Sequence, residues 1–331
     1  MLKGFYSLVA VSALLLFQGC SSKQYFEPED TYSIDIDIYD TESKIVDFHA
    51  SGATLDNNGF ISNEGISTLT LDEGFRFLNQ NNSIVLSTND EAILQVRYAD
   101  GKKESIQFDK NIVSATISEN LIAYVLIDNT IGLYDIQAKK PVLKEYLTLS
   151  MLNDVRIASP IFLNSLVLFP SLDGKVLIVD KNRKTIYKTI NLDPQGDINN
   201  IIYLHALGNT LVAATNNKLF SFSDGQVTTI SQEIRSITAN DDSIFVATLD
   251  GKIIKYNKNL KELASQKFKF AKFHALAYGR SLYALESQDY LIELDSKLEN
   301  YVIYDFSFDE EEKVFSLKNK IYFEDSFIIL K

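Results

Sequence analysis

The chain has 331 residues, a net charge of −12, a single cysteine and no tryptophan. This acidic balance argues against nucleic acid or anionic lipid as the main partner, because both repel a negatively charged surface. One cysteine rules out an intrachain disulfide, so the core alone must hold the fold together.

The N-terminal segment is typical of an export signal. Lys3 is followed by an uncharged apolar stretch from Phe5 to Phe17 and then by Gln-Gly-Cys, which ends at Cys20. The stretch is shorter than the roughly 20 residues of a transmembrane helix. The segment resembles a bacterial lipoprotein signal, with Phe17 where leucine is usual. This resemblance implies that residues 1–19 are removed and that Cys20 is lipidated.

The residues after Cys20 predict a tether. Ser21 and Ser22 follow the cysteine, and in bacterial lipoproteins a start of this kind, without aspartate, implies sorting to the outer membrane. The acyl chains would anchor the protein, since each buried CH₂ contributes about 0.8 kcal/mol. We therefore expect residues 20–31 to form a lipidated tether on the periplasmic side of the outer membrane.

Residues 32–39, with the sequence YSIDIDIY, predict an isolated strand. Apolar and polar residues alternate, as in a strand with one solvated face. Asp35 and Asp37 lie on that solvated face. The strand belongs to no complete copy of the repeat that occupies the rest of the chain.

A polar turn followed by an apolar strand recurs along the chain. LDGKIIKY, starting at Leu249, matches LDGKVLIV, starting at Leu172. Weaker copies occupy 89–94, 127–134, 216–220, 288–292 and 325–329, and a degenerate copy lies at 57–59. The spacing is near 40 residues, which is typical of propeller blades, whereas helical repeats would show a 3.6-residue apolar period.

The apolar runs before these turns indicate the same architecture. SLVLF from Ser165 and SIFVA from Ser243 are apolar on both faces, as in sheets that neighbours cover on both sides. The sequence therefore predicts an all-β propeller of eight four-stranded blades over residues 32–331, with seven blades as the alternative. The last copy ends without an outer strand, so residues 32–39 are expected to supply it and close the ring.

The lipoprotein signal, the repeats and the motif SLDGKVLIVD together resemble the PQQ-like propeller repeat and, within it, the BamB lipoproteins of the outer-membrane β-barrel assembly machinery. The resemblance implies a non-catalytic scaffold that binds a BamA-like subunit and assists unfolded outer-membrane proteins. It is closest from residue 154 to residue 190, where Asp-Val-x-x-x-Pro precedes an apolar strand. In that family this segment meets the BamA-like partner, which implies Asp154 and Arg156 as partner-binding residues.

No pattern in the sequence indicates catalysis, a cofactor or a metal site. A quinoprotein dehydrogenase would need a tryptophan under its cofactor, and the chain has none. His49, His205 and His274 each precede alanine, but they fall in the first, fifth and seventh blades, too far apart to share an ion, which predicts structural roles.

Lysine and arginine recur on the same turn of several blades, where they protect sheet edges or offer a basic rim to an acidic partner. They are Lys139, Lys140, Lys181, Arg183, Lys184, Lys258 and Lys261. A different class of function, a propeller that binds a small ligand or polysaccharide in its central channel, is the alternative that the sequence leaves open.

Overall fold

The computed structural model describes residues 24–150, 154–193, 199–223, 225–309 and 313–330. The expected signal and Cys20 lie outside the described residues. Within the described ranges the chain is built from strands, turns and loops. None of the described residues forms a helix long and apolar enough to span a membrane.

The first six strands comprise two N-terminal strands and the first blade. They are β1 (Tyr32–Ser33), β2 (Ile38–Asp40), β3 (Ile45–His49), β4 (Gly52–Leu55), β5 (Phe60–Ser62) and β6 (Gly65–Ile66). Blades 2 to 4 follow. They contain β7 (Arg76–Asn81), β8 (Ile84–Thr88), β9 (Ile93–Arg97), β10 (Lys103–Gln107), β11 (Ile112–Ser118), β12 (Leu121–Leu126), β13 (Thr130–Asp135), β14 (Lys140–Tyr146), β15 (Ile161–Leu163), β16 (Leu166–Pro170), β17 (Lys175–Asp180) and β18 (Thr185–Asn191).

Blades 5 to 7 repeat the pattern, and the last three strands begin blade 8. These strands are β19 (Tyr203–Leu207), β20 (Thr210–Ala214), β21 (Lys218–Ser223), β22 (Gln226–Ser231), β23 (Ile234–Ala239), β24 (Ser243–Thr248), β25 (Lys252–Asn257), β26 (Glu262–Lys267), β27 (Phe273–Tyr278), β28 (Leu282–Glu286), β29 (Tyr290–Leu294), β30 (Tyr301–Asp305), β31 (Val314–Leu317), β32 (Lys320–Phe323) and β33 (Ser326–Ile329).

Each blade is an antiparallel meander in which strands pair in chain order. First strands of consecutive blades contact one another, as β7 does with β11 and β23 with β27. The first strand of each blade therefore lines the centre of the ring and the fourth lies outside. The chain is an eight-bladed β-propeller, as the repeat predicted, and the alternative of seven blades is wrong.

The N-terminal strands close the ring. β2 pairs antiparallel with β33, with Ile38 opposite Ile328, and becomes the outer strand of blade 8. β1 adds a fifth, parallel strand to blade 7. The predicted strand is thus split in two, because Ile34 and Ile36 between the pieces pack into the core between blades 7 and 8.

The recurring turn joins the second strand of each blade to the third. In seven blades one residue near or at the end of this turn has a positive φ, between 51° and 81°. These residues are Asn58, Ala92, Asn129, Gly174, Gly251, Asp289 and Glu324. Asparagine, aspartate and glycine tolerate this left-handed conformation, which explains how a chain with 14 glycines builds the turn repeatedly.

The two rims of the ring differ in the turns they carry. Rim 1 carries the second-to-third turns, and the connections between blades lie beside them, as when the N–H of Phe268 donates to the carbonyl of Gly251. Rim 2 carries the first-to-second and third-to-fourth turns. Six residues of strand, at about 3.3 Å each, separate the rims by about 20 Å.

The hydrophobic core lies between adjacent blades. Strands β20, β24 and β28 are buried at every residue, which confirms that the apolar runs are covered on both faces. Between blades 3 and 4, Val125 and Leu133 pack with Phe169 and Val179. Each such side chain, fully buried, contributes about 1.5–3 kcal/mol, so blade-to-blade packing holds the ring without a disulfide.

Candidate partner-binding surface

Asp154 and Arg156 lie where the connection from blade 3 enters blade 4, close to the centre of rim 1. The backbone N–H and Nε of Arg156 both donate to Asp154 Oδ1 at 2.9 Å, and Nη2 donates to Oδ2 at 2.5 Å. Burial opposes ionisation of Asp154, but its hydrogen bonds and ion pair with Arg156 outweigh it and hold the pKa of this carboxyl below its usual value. The pair is ionised at neutral pH.

This pair is tied to blades 5 and 6. Asn200, at the entry to blade 5, accepts from the N–H of Asp154 and donates to the carbonyls of Asp154 and Arg156. Nη1 of Arg156 donates to the carbonyl of Arg235 in blade 6 at 2.6 Å. Arg235 sits at a bulge between Ile234 and Ser236, and its Nε donates to the carbonyl of Phe273 in blade 7.

The resemblance implied that Asp154 and Arg156 bind a partner, and that assignment stays a prediction. Their side chains are 16 % and 29 % exposed, and most of their hydrogen-bonding groups bond within the chain. The residue between them differs, since Val155 is 61 % exposed. In this segment the charged pair fixes the backbone, and the apolar residue is presented to solvent.

Val155 belongs to a set of exposed apolar side chains that we call the rim patch. They lie on the connection from blade 3 to blade 4 and on the adjoining turn and strand end of blade 3. The rim patch consists of Ile127 (39 % exposed), Tyr146 (70 %), Leu149 (75 %) and Val155 (61 %). Leu149 and Val155 share one connection, and exposed apolar side chains grouped on a loop are typical of protein-binding surfaces.

The connection that carries the rim patch is held at both ends. Asn129 Nδ2 donates to the carbonyl of Thr148 at 2.8 Å, and Asn129 Oδ1 accepts from the N–H of Leu172 at 2.7 Å. Ser150 Oγ donates to the carbonyl of Leu172 at 2.7 Å. The far end is fixed by the bonds of Asp154. This loop therefore presents Leu149 and Val155 from anchored backbone, which lowers the entropy lost on binding.

Part of the rim patch has a signal in the sequence. Residues 147–152 read LTLSML, an apolar stretch that no strand of the repeat needs. The family resemblance points instead to the charged residues beside it. Ile127 and Tyr146 carry no such signal, because only the fold places the turn and the strand end on the same rim.

The central channel is crossed by contacts between blades that are not neighbours. Ser51, in the turn between β3 and β4 of blade 1, lies 2.7 Å from Ser159 of blade 4, Oγ to Oγ. Ser159 in turn accepts from Ser114 Oγ of blade 3 at 3.2 Å. Because blades 2 and 3 stand between blades 1 and 4, the Ser51 contact spans the channel. It occupies space that a small ligand or polysaccharide would need if the protein bound it in the central channel.

The histidines have separate structural environments. His49 faces blade 2, where its Nε2 lies 3.0 Å from the carbonyl of Phe77, and its Nδ1 accepts from the N–H of Ser51. Burial lowers the pKa of His49. His274 packs edge-on against Phe308. Across the described ranges, no three histidine, cysteine or acidic residues are grouped so as to hold a metal ion.

The basic residues singled out in the sequence lie on third-to-fourth turns or their strand ends, and therefore on rim 2. Several are paired with acidic neighbours: Lys181 with Glu119 at 3.9 Å, and Lys258 with Asp242 at 3.8 Å. Exposed pairs at this distance contribute at most about 1 kcal/mol. Because these pairs are weak, the simpler interpretation is that the basic residues protect the edges of the sheets from aggregation.

Comparison with known proteins gives relatives but no family assignment, since no family model matches the chain. Plasminogen-binding protein PgbB from two strains of Helicobacter pylori is 28 % identical over 377 and 376 aligned residues, covering 96 % of this chain and 70 % and 69 % of the relatives. Among solved structures, BamB from Moraxella catarrhalis has a TM-score of 0.65 at 15 % identity and covers 91 % of this chain and 99 % of its own.

Propellers from other sources are about as similar in structure. The C-terminal WD40 domain of Sif2 has a TM-score of 0.63 at 14 % identity and covers 92 % of this chain and all of its own. The designed protein Ika8 has a TM-score of 0.62 at 14 % identity, covering 90 % and 98 %. At these identities the structural likeness supports the fold alone. The sequence relatives support a protein-binding propeller.

Proposed function

We propose that this protein is a lipid-anchored, non-catalytic propeller that binds a protein partner through the rim patch and serves the outer-membrane β-barrel assembly machinery. Its partner would be a BamA-like subunit, and unfolded outer-membrane proteins would be its clients. The observation that carries this proposal is the rim patch itself, four exposed apolar side chains on rim 1, of which Leu149 and Val155 lie on an anchored connection. Cys20 would carry the lipid and hold the ring at the periplasmic face of the outer membrane.

The channel-binding alternative has less support. The contact between Ser51 and Ser159 joins blades 1 and 4, and the bond from Arg156 to Arg235 joins blades 4 and 6 beside the channel. A ligand in the channel would have to displace them. Binding at the rim leaves every one of these contacts intact.

The relatives favour a second candidate function, binding of plasminogen, because PgbB is named for that activity and covers almost the whole chain at 28 % identity. The two candidates share a protein-binding propeller and differ in the partner. Direct binding of purified plasminogen to the immobilised protein, measured beside a sample of heat-denatured protein, tests the second candidate.

The first candidate is tested by crosslinking in whole cells followed by identification of the captured protein. Leu149→Asp places a charge on the rim patch, and Leu263→Asp, at a side chain 52 % exposed on outer strand β26, is the matched control. We expect the native chain and the Leu263→Asp variant to capture a BamA-like subunit and the Leu149→Asp variant to lose it at unchanged thermal stability. Equal capture by both variants refutes the rim patch as the site, and plasminogen binding without a BamA-like subunit favours the second candidate.

A further inference from the structure

The N-terminal segment is docked on the ring before the first strand begins. Phe26 is 7 % exposed and belongs to the core between blades 6 and 7. Its ring meets Tyr290 edge-on at 5.6 Å and Phe268 at 6.1 Å between centroids. Five residues further on, Thr31 Oγ1 donates to Asp305 at 3.0 Å. These residues behave as part of the fold, whereas the sequence predicted a tether as far as residue 31.

Phe26 lies on rim 1. Phe268 belongs to the connection between blades 6 and 7 and bonds the second-to-third turn of blade 6 through Gly251. Tyr290 directly follows the corresponding turn of blade 7, and residues 287–289 of that turn line a cleft of about 390 Å³ together with Tyr25 and Phe26. The chain therefore enters the ring at rim 1.

Phe26 is the sixth residue after Cys20. A fully extended chain covers at most about 3.5 Å per residue, so a lipid on Cys20 holds rim 1 within about 20 Å of the bilayer surface. If Phe26 were free, the first fixed residue would be Thr31, and the reach would be nearly twice as long. A ring about 20 Å high could turn over on this tether only if the tether were fully extended, so the orientation with rim 1 toward the bilayer is favoured.

We propose that docking of Phe26 orients the propeller, with rim 1 facing the membrane and rim 2 facing away, so that the partner of the rim patch is bound on the membrane side. This inference rests on the lipid anchor of the proposed function. The rim patch and Phe26 share rim 1 but lie on opposite arcs of the ring, at blades 3 to 4 and blades 6 to 7.

The charges of rim 1 indicate what kind of partner fits there. Its turns carry carboxylates in seven of the eight blades, at Asp56, Asp90, Asp128, Asp173, Asp250, Asp289 and Glu324. Four of these form ion pairs with basic neighbours, Asp90 with Arg76, Asp173 with Lys175, Asp250 with Lys267 and Glu324 with Lys44, so the turns carry charges of both signs. The partner that fits rim 1 is a membrane-embedded or membrane-adjacent protein with an apolar surface bordered by polar residues.

The absence of tryptophan from the sequence makes a direct test feasible, because one introduced indole is a clean optical reporter. Leu249→Trp places it on rim 1 and Lys261→Trp on rim 2, both at exposed positions of blade 6. The lipidated full chain is bound to vesicles that contain a dansyl-labelled phospholipid. Since the rims are about 20 Å apart, we expect energy transfer to be at least about twofold more efficient from Leu249→Trp.

Two further variants test the role of Phe26 in each reporter background. Phe26→Ala frees the segment and is expected to bring the two transfer efficiencies together, whereas Tyr25→Ala, at a neighbouring side chain 45 % exposed, leaves them apart. Equal or reversed transfer in the native background overturns the proposed orientation. A difference that persists in Phe26→Ala overturns the role of Phe26.

Vesicle flotation distinguishes failure of the lipid anchor from failure of the proposed orientation. If the native chain does not float, or if Cys20→Ala floats equally, the lipid anchor of the proposed function is wrong. If the native chain floats through Cys20 and the two rims transfer equally, the anchor stands and the orientation is refuted. A thermal melt of each variant confirms that the ring is folded.

Discussion

Asn129 connects the turn of blade 3 to the loop that carries the rim patch, and its replacement by alanine is expected to destabilise the ring. Asn129 is fully buried and has a φ of 65°. Without its side chain, the N–H of buried Leu172 loses its acceptor, at a cost of about 1–3 kcal/mol. Alanine in the left-handed region costs about 1 kcal/mol more. The free energy of unfolding should fall by about 2–4 kcal/mol in total.

Two matched variants separate these contributions in urea unfolding. Asn129→Gly loses the hydrogen bonds but relieves the backbone, so it should be about 1 kcal/mol more stable than Asn129→Ala. Asn58 has a φ of 63°, and in the described structure its side chain makes no hydrogen bond. Asn58→Ala should therefore lose only about 1 kcal/mol. A stability of Asn129→Ala within about 0.5 kcal/mol of the native chain, or an equal loss in Asn58→Ala, would contradict the role of the Asn129 side chain.

Three further outcomes are expected. Gly251→Ala should destabilise more than Gly101→Ala in thermal melts, because both positions have a positive φ but an added Cβ meets backbone oxygens only at Gly251; equal melting temperatures would contradict this. The lowered pKa of His49 means that the native state resists protonation, so its contribution to stability is full above pH 6.5 and is lost as the pH falls from there through the lower native pKa. His49→Gln should flatten this dependence, and an unchanged pH profile would argue against it. Removing residues 1–40 exposes the edge of β33, so light scattering should detect self-association, which a monomeric product would disprove.

The propeller could be predicted because short local motifs in the sequence mark the turns and strands of its repeat. The LDGK motifs at Leu172 and Leu249 mark a turn with a left-handed residue, and the apolar runs before them are buried on both faces because each blade has two neighbours. The closing strand was also visible in the alternation of residues 32–39. Its division into β1 and β2 was not, because only the packing of Ile34 and Ile36 between blades 7 and 8 determines it.

The candidate surface was harder to predict because it is assembled from distant segments. The family resemblance implies Asp154 and Arg156, yet the groups that hold them, Asn200 and Arg235, lie in blades 5 and 6. The local sequence pattern does not show that Asp154 and Arg156 form an ion pair with each other. The sequence predicts a lipidated tether over residues 20–31 for the same reason, since one phenylalanine in a polar stretch shows no docking site until Phe268 and Tyr290 surround it.

The bond between Ser51 and Ser159 braces the ring across its channel. Eight sheets that contact only their neighbours form a ring that can deform into an oval at little cost in free energy. The bond between Ser51 and Ser159 opposes that deformation, and the bond from Arg156 to Arg235 joins a second pair of blades that are not neighbours. A force applied at blades 3 and 4 by a bound protein would therefore be transmitted to blades 1 and 6, and the propeller would move as one rigid body.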